Sequence, residues 1–195
     1  MLTNYIIFIN IIYGLQLFYR NNCGSNKMPE NIGGHSWVRW MIRQDMPEVL
    51  NIENASFEFP WTKHDFVRTL RRHDCIGMVA EYEEQVVGFM IYQLRKNYIR
   101  LFNFAVAPLF RRKGAGSQMI VKLTGLPCFK RCHRICVEIS ETNLHGQLFF
   151  RANGFKAISV LHGFYNEEPE KDAYVMEYRR AAETDGLHRL PNTVV

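Results

Sequence analysis

Phe104-Ala105-Val106-Ala107-Pro108-Leu109-Phe110-Arg111-Arg112-Lys113-Gly114-Ala115-Gly116-Ser117 is the stretch on which the reading of this chain turns. It opens as the end of an apolar strand, is cut by Pro108, turns basic, and closes on glycines that begin a helix. Glycines let a backbone turn tightly and approach a ligand. Successive amide N–H groups at a helix start, aided by the helix dipole and three cations, favour an anion such as pyrophosphate. Arg111, Arg112, Lys113, Gly114, Ala115, Gly116 and Ser117 are therefore candidate anion-binding residues, with an ordinary basic turn as the plainer alternative. A Walker loop is excluded because no Gly-Lys-Ser/Thr ends the stretch at the required spacing, and GxGxxG is absent.

Upstream, Trp37, Val38, Trp40 and Ile42 predict a first strand. Asp45 is placed to cap a helix carrying Met46, Val49, Leu50, Ile52 and Ala55, which Phe57 to Trp61 breaks with Pro60. Thr62 with Asp65 three places on resembles a capping box and predicts a second helix through Phe66, Leu70 and Arg72. Ile76 to Tyr82, Val86 to Arg95 and Tyr98 to Ala107 are β-rich runs with short polar gaps, which predict an antiparallel meander. Downstream, the pattern predicts a helix from about Gly116, a strand Ile135 to Ser140 and a helix Asn143 to Asn153 ended by Gly154. Strands Phe155 to Phe164 and Ala173 to Arg179 close the domain. No internal repeat is visible.

At 195 residues with 47% hydrophobic and 22% charged side chains, the chain has apolar surface for one packed domain. That composition excludes wholesale disorder and low-complexity classes. A net charge of +5 suits a phosphorylated cofactor or an acidic surface, and no direct nucleic-acid contact is expected from it. The five cysteines read as reduced thiols. Cys128, Cys132, His133 and Cys136 lack a CxxC hook and a distant second pair of ligands, so no metal site is expected there.

Residues 1–34 read as an apolar N-terminal extension and linker, 35–180 as the domain, and 181–195 as a flexible tail. Met1 to Tyr19 carry no charge, nominally the length of a membrane span, yet Asn4, Asn10 and Gln16 interrupt them. The basic residues come only afterwards, against the pattern of a secretory signal. An uncleaved anchor with its basic end inside would still leave the domain cytosolic. The preferred reading is an extension outside the core, with membrane contact through residues 1–19 not favoured and a cytoplasmic location expected.

The arrangement Arg-x-x-Gly-x-Gly after a strand ending Phe104-Ala105-Val106-Ala107-Pro108 resembles the acetyl-CoA signature of the GNAT acetyltransferases. More narrowly, the stretch from about Val38 to Tyr178 resembles the bacterial ribosomal-protein-alanine N-acetyltransferases. The supporting motifs are Ile52-Glu53 followed by Phe59-Pro60-Trp61, Leu101 to Val106, the glycine loop, Val137-Glu138-Ile139, Asn143 through Asn153-Gly154-Phe155, Tyr165 and Asp172-Ala173. The resemblance implies an α/β fold: a mixed twisted central sheet, largely antiparallel, splayed between the fourth and fifth strands and flanked by helices. It implies an enzyme that moves an acetyl group from acetyl-CoA, without a metal, to a protein amine. In the narrower family that amine is the N-terminal α-amino group of a small-subunit ribosomal protein.

Carried over residue by residue, the resemblance makes Phe104, Ala105 and Val106 backbone contacts of the pantetheine arm and thioester, and the loop from Arg111 to Ser117 the pyrophosphate holder. Glu138 matches the general base and Asn143 a cofactor-binding asparagine. Phe59, Trp61 and Tyr165, with Phe57 and Phe164, would line a peptide groove. Each has a plainer alternative: an ion-paired strand carboxylate for Glu138, a helix N-cap for Asn143, and core packing for the aromatics. Val137 and Ile139 flank Glu138 and imply the opposite sheet face for it.

Two departures stand out. Phe150, four places before Gly154, occupies the position of the family's tyrosine acid and has no proton to donate. Gly125 with Pro127 shortens the helix after the glycine loop. The first keeps open an acetyl-CoA-binding domain with impaired catalysis or a different amine substrate. A ribosome- or RNA-binding protein using Lys130, Arg131 and Arg134 is the most distant alternative.

Overall fold

A computed structural model describes residues 36–165 and 170–180. The N-terminal extension and linker expected over 1–34 and the tail over 181–195 lie outside the described residues. The elements are β1 (Ser36–Trp40), α1 (Met46–Asn54), α2 (Lys63–Leu70), β2 (Cys75–Tyr82), β3 (Gln85–Leu94) and β4 (Ile99–Val106). They continue with α3 (Ala115–Thr124), α4 (Pro127–Cys132), β5 (Arg134–Ser140), α5 (Leu144–Ala152), β6 (Lys156–Tyr165) and β7 (Lys171–Arg179).

The strands form one seven-stranded sheet in the order β1-β2-β3-β4-β5-β7-β6. All neighbours are antiparallel except β4 and β5. The β2–β3 connection is a two-residue turn in which Glu83 and Glu84 both take positive φ, 47° and 65°. That is the hairpin turn whose twist suits its flanking strands. β3 reads as a nearly continuous apolar run because it is covered on both faces. On one face α1 and α2 bring Val49, Ile52 and Phe66 against Phe89, Ile91 and Ala105. On the other, α3 and α5 bring Met119, Leu123 and Phe150 against Met90, Tyr92 and Val137.

Local signals behave as their chemistry dictates, with two exceptions. Thr62 Oγ1 accepts from the Asp65 N–H and the Asp65 carboxylate accepts from the Thr62 N–H, closing the capping box of α2. Pro127 starts α4 after the break at Gly125, so the helix following the glycine loop ends early as its composition implies. Asp45, by contrast, does not cap α1 with its side chain. Both oxygens are taken by Arg39 at 2.8 Å, and one also accepts the Ile42 N–H at 2.7 Å, which closes a 3-10 turn instead. β1 ends at Trp40, so Ile42, expected in the strand, lies outside it.

The second exception lies in β4. Asn103 pairs with Ile91 and Leu101 with Tyr92, so Phe102 is an extra residue, a β-bulge. Burial alternates strictly along β4, but the faces exchange at the bulge. Ile99 and Leu101 join the α3/α5 side, as Phe104 and Val106 do beyond it, while Ala105 joins the α1/α2 side. Among the described residues no helix is long and apolar enough to cross a membrane.

Candidate functional site

The site begins where two parallel strands part. β4 and β5 pair at Ile99 with Ile135, Arg100 with Cys136 and Leu101 with Val137, and the ladder stops there. Phe104, Ala105 and Val106 remain paired to β3 on one side, and β5 to β7 on its far side. Their facing edges are therefore open, and a strand edge without a neighbour presents backbone N–H and C=O groups.

The glycine loop follows directly. After a 3-10 turn at Pro108–Phe110, Arg112 takes φ +63° and Gly114 φ +92°, and α3 starts at Ala115. Gln118 N–H bonds back to the Gly114 carbonyl at 3.0 Å, while the N–H groups of the turn before it have no intrahelical acceptor. Those amides, beside the open edge of β4, are the feature that fits a pyrophosphate.

The seven loop residues are not equivalent. Gly114 answers a backbone demand, since left-handed φ is costly for a side chain. Gly116 answers a packing demand: a Cβ there would lie 2.9 Å from the Phe149 ring of α5. Arg111 turns back on the protein, its Nε donating to the Val106 carbonyl at 2.9 Å and its Nη2 to the Ser56 hydroxyl at 3.0 Å. Arg112 and Lys113 are exposed, with the Lys113 ammonium 5.1 Å over the Phe110 ring.

Glu138 is the first residue of β5 beyond the last pair with β4. As the flanking apolar residues implied, it faces away from the cluster that holds Val137 and Ile139. Its carboxylate meets the Arg100 guanidinium at 3.0 Å, and that guanidinium also lies 5.2 Å over the Phe102 ring. On the face carrying Phe102, a cavity of about 280 Å³ is lined by Trp61, Arg68, Thr69, Arg72 and Phe102. Arg68 and Arg72 are partnered by Asp65 and Asp74.

Phe150 is buried in an aromatic cluster, its ring 5.6 Å from Phe104, 5.1 Å from Phe149 and 5.0 Å from Phe155. It thus stands against the strand assigned to the thioester and brings no hydroxyl there. Asn143 is the N-cap of α5, its Oδ1 accepting from the Gly146 N–H at 2.9 Å. Of the groove aromatics, Trp61 packs edge-on to Phe66 at 5.4 Å, while Phe59 is 62% exposed. Phe59 lies 5.9 Å from the Lys171 ammonium, and Lys171 is the register partner of Tyr165. Residues far apart in sequence are thereby brought to one rim. Among the described residues, no three His, Cys, Asp or Glu side chains are grouped to hold a metal ion.

Two polar residues of the site had no assigned role in the sequence, Glu53 and Asn103. Glu53 is 1% exposed on α1, and its carboxylate accepts from Asn103 Nδ2 at 3.0 and 3.1 Å and from the Trp61 N–H at 2.8 Å. The available signal was helical spacing: Glu53 follows Val49 and Ile52 at four and one places on the buried stripe of α1. Asn103 gave none, because only the bulge turns it toward Glu53.

Burial pushes the Glu53 carboxyl above the usual glutamate range, against the pull of the Trp61 N–H and the Asn103 amide. The stability that a neutral Glu53 allows is fully present below the ordinary carboxylate pKa and is lost as pH rises through the elevated folded value. Glu53→Gln cannot ionise, so its melting temperature relative to wild type should climb from about pH 4 upward before levelling. Thermal melts across pH test this, and a difference that is flat with pH contradicts it.

Residues 46–155 match the acetyltransferase (GNAT) family. The chain is 24% identical over 130 residues to the [ribosomal protein bS18]-alanine N-acetyltransferase of Haemophilus ducreyi, spanning 66% of this chain and 88% of that protein. Among solved structures, the ribosomal-protein-S18-alanine N-acetyltransferase from Escherichia coli superposes with a TM-score of 0.67 at 21% identity, covering 77% of this chain and 98% of that one. Arabidopsis thaliana NAA60 in complex with acetyl-CoA superposes at 0.63 and 16% identity, covering 75% and 100%. At these identities the structural likeness is one of fold.

Proposed function

The chain belongs to the acetyltransferase (GNAT) family, and from that premise we propose that it moves the acetyl group of acetyl-CoA onto the N-terminal α-amino group of a protein. The substrate we favour is a small-subunit ribosomal protein, and the compartment the cytoplasm. One observation carries the transfer reading: the open edge of β4 at Phe104–Val106 runs directly into a helix start with unsatisfied amides. The choice of substrate is supported by what the sequence relatives from Haemophilus ducreyi and Escherichia coli are named for.

Acetyl-CoA supplies the acetyl group as a thioester, already activated toward an amine. The backbone of Phe104, Ala105 and Val106 would hold the pantetheine arm, and the amides of Arg112 to Ser117 the pyrophosphate, with Asn143 contributing from the start of α5. Glu138, oriented by Arg100, accepts through water the proton that the acceptor ammonium must lose before its nitrogen forms the new N–C bond. The demand on this base is modest, because an α-amino group has an ordinary pKa of about 7.7 to 8.0. The Val106 amide would face the oxyanion that develops as the nitrogen adds to the thioester carbonyl and that collapses as the C–S bond breaks. The sulfur, with a thiol pKa of about 8.5, would leave as thiolate while the second proton of the nitrogen passes to water, or as thiol with a proton from water or Tyr165. Phe59, Trp61 and Tyr165 line the acceptor's path.

Intact-mass analysis of candidate peptides with acetyl-CoA tests this reading. A gain of one acetyl group on a ribosomal-protein N-terminal peptide, absent when its α-amine is blocked, is expected. Acetylation confined to lysine side chains would overturn the amine assignment. The second reading, acetyl-CoA binding with impaired transfer, rests on Phe150 and requires binding without any mass gain.

The cofactor half is separable. Gly114→Val forces a β-branched residue into φ +92°, where L-residues cost about 1–2 kcal/mol, and so displaces the amides of the loop. Calorimetry should show acetyl-CoA affinity falling by at least about tenfold. Unchanged binding would remove the loop from the site.

A further inference from the structure

We propose that Glu53 and Asn103 are a positioning pair that fixes the acceptor-side loop, residues 55–62, to β4 and so sets where the acceptor amine meets the thioester. The inference rests on the acetyl-transfer reading and names how its acceptor side is held.

Glu53 clasps that loop at both ends. Its main-chain carbonyl accepts the N–H groups of Ser56 and Phe57 at 3.0 and 3.1 Å, and its carboxylate accepts the Trp61 N–H at 2.8 Å. The same carboxylate is held by Asn103, two residues past the last pair between β4 and β5. Asn103 therefore joins the loop to the strand between Phe102, which shares a cavity wall with Trp61, and Phe104, which packs on Phe150. A second tie runs parallel to it, where Arg111 bridges the Ser56 hydroxyl and the Val106 carbonyl.

The chemistry of the pair argues for geometry over stability. A carboxylate and an amide at 1% and 7% exposure carry a desolvation cost that an apolar pair of the same shape would avoid. The arrangement also leaves Asn103 Oδ1 buried without a hydrogen-bond partner. What the polar pair provides and an apolar pair lacks is direction: three hydrogen bonds define the loop's height over β4. The bulge at Phe102 exists in the right place for this, since without it Asn103 would face α3 and α5.

The test separates hydrogen bonding from packing. Both leucine variants keep apolar bulk; Glu53→Leu removes all three bonds of the carboxylate, and Asn103→Leu the two that join it to β4. Glu53→Gln restores the clasp, because its Oε1 accepts from Trp61 while its amide donates to Asn103 Oδ1 once the Asn103 amide turns over. The full chain of each variant is assayed for acetyl transfer to the ribosomal-protein peptide, with acetyl-CoA binding by calorimetry and hydrogen exchange over residues 55–62. Both leucine variants should raise the acceptor KM by about tenfold or more, with kcat and acetyl-CoA affinity within about twofold, and should speed exchange in the loop. The glutamine variant should match wild type in KM and exchange. The double leucine variant should be no worse than the worse single one, because the two residues act as a unit.

Unchanged exchange in Glu53→Leu overturns the clasp whatever the activity. Faster exchange with an unchanged acceptor KM overturns the positioning role, and so does a glutamine variant as impaired as the leucine one. A wild type that transfers acetyl to no amine overturns the transfer reading itself, and exchange still judges the clasp.

Discussion

Phe150→Tyr is expected to accelerate acetyl transfer, by about 10² to 10⁴ where proton delivery to the leaving sulfur limits turnover, the range a positioned general acid supplies. The ring at this position lies 5.6 Å from Phe104, so a hydroxyl on it starts from beside the strand assigned to the thioester. It also starts from a site that is 5% exposed, where an unpartnered hydroxyl is costly. The substitution should therefore lower the melting temperature of the free protein and regain part of the loss when acetyl-CoA binds. The rate gain should shrink with a thioester whose thiol is more acidic, since a better leaving group needs less protonation in the transition state. If the variant is no faster with either donor while wild type turns over well, another group delivers the proton and Phe150 is no impairment. If both are inert on every amine, the cofactor-binding reading takes over.

Glu138→Gln should lower kcat by about 10² or more at low pH, with acetyl-CoA affinity unchanged. The sign of the pH dependence comes from the acceptor. Below the α-amino pKa of about 7.7 to 8.0 the amine is protonated and needs a base, whereas above it the amine arrives neutral and the variant should recover. Glutamine is close to isosteric and keeps a hydrogen-bond acceptor toward Arg100, so the cleft between β4 and β5 should survive the substitution. A purely structural Arg100–Glu138 pair predicts the opposite result: a lower melting temperature and a rate profile parallel to that of wild type. Steady-state rates between about pH 6 and 9, a range that brackets the α-amino pKa, decide it for both proteins.

The order of strands and helices was legible because each rests on a local signal. The capping box at Thr62 and Asp65, the glycine after α5, the break at Gly125-Leu126-Pro127 and the polar turn at Glu83-Glu84 act over a few residues, where chain neighbours alone supply the partners. The resemblance added what local signals do not contain, namely that a mixed sheet is splayed between its fourth and fifth strands, and the structure has these two parting after three parallel pairs. Asp45 shows the limit. A helix-capping residue by its position, it is taken by Arg39, whose approach depends on β1 pairing with β2.

By itself the amino-acid sequence determined the alternation of elements, the antiparallel meander of β2 to β4 and the basic glycine loop that starts α3. All of these follow from periodicity, turn chemistry and backbone constraint along a continuous stretch. The tertiary structure alone decided the bulge at Phe102, and with it which face each later residue of β4 presents. Side chains on a strand alternate with period two, so one extra residue reverses every assignment beyond it. That reversal sends Asn103 to Glu53 and Phe104 to Phe150, and no single residue near it announces the shift. Arg100 meeting Glu138 and Phe59 meeting Lys171 are likewise products of strand register and loop closure across distant segments, which a linear pattern of residue types does not encode.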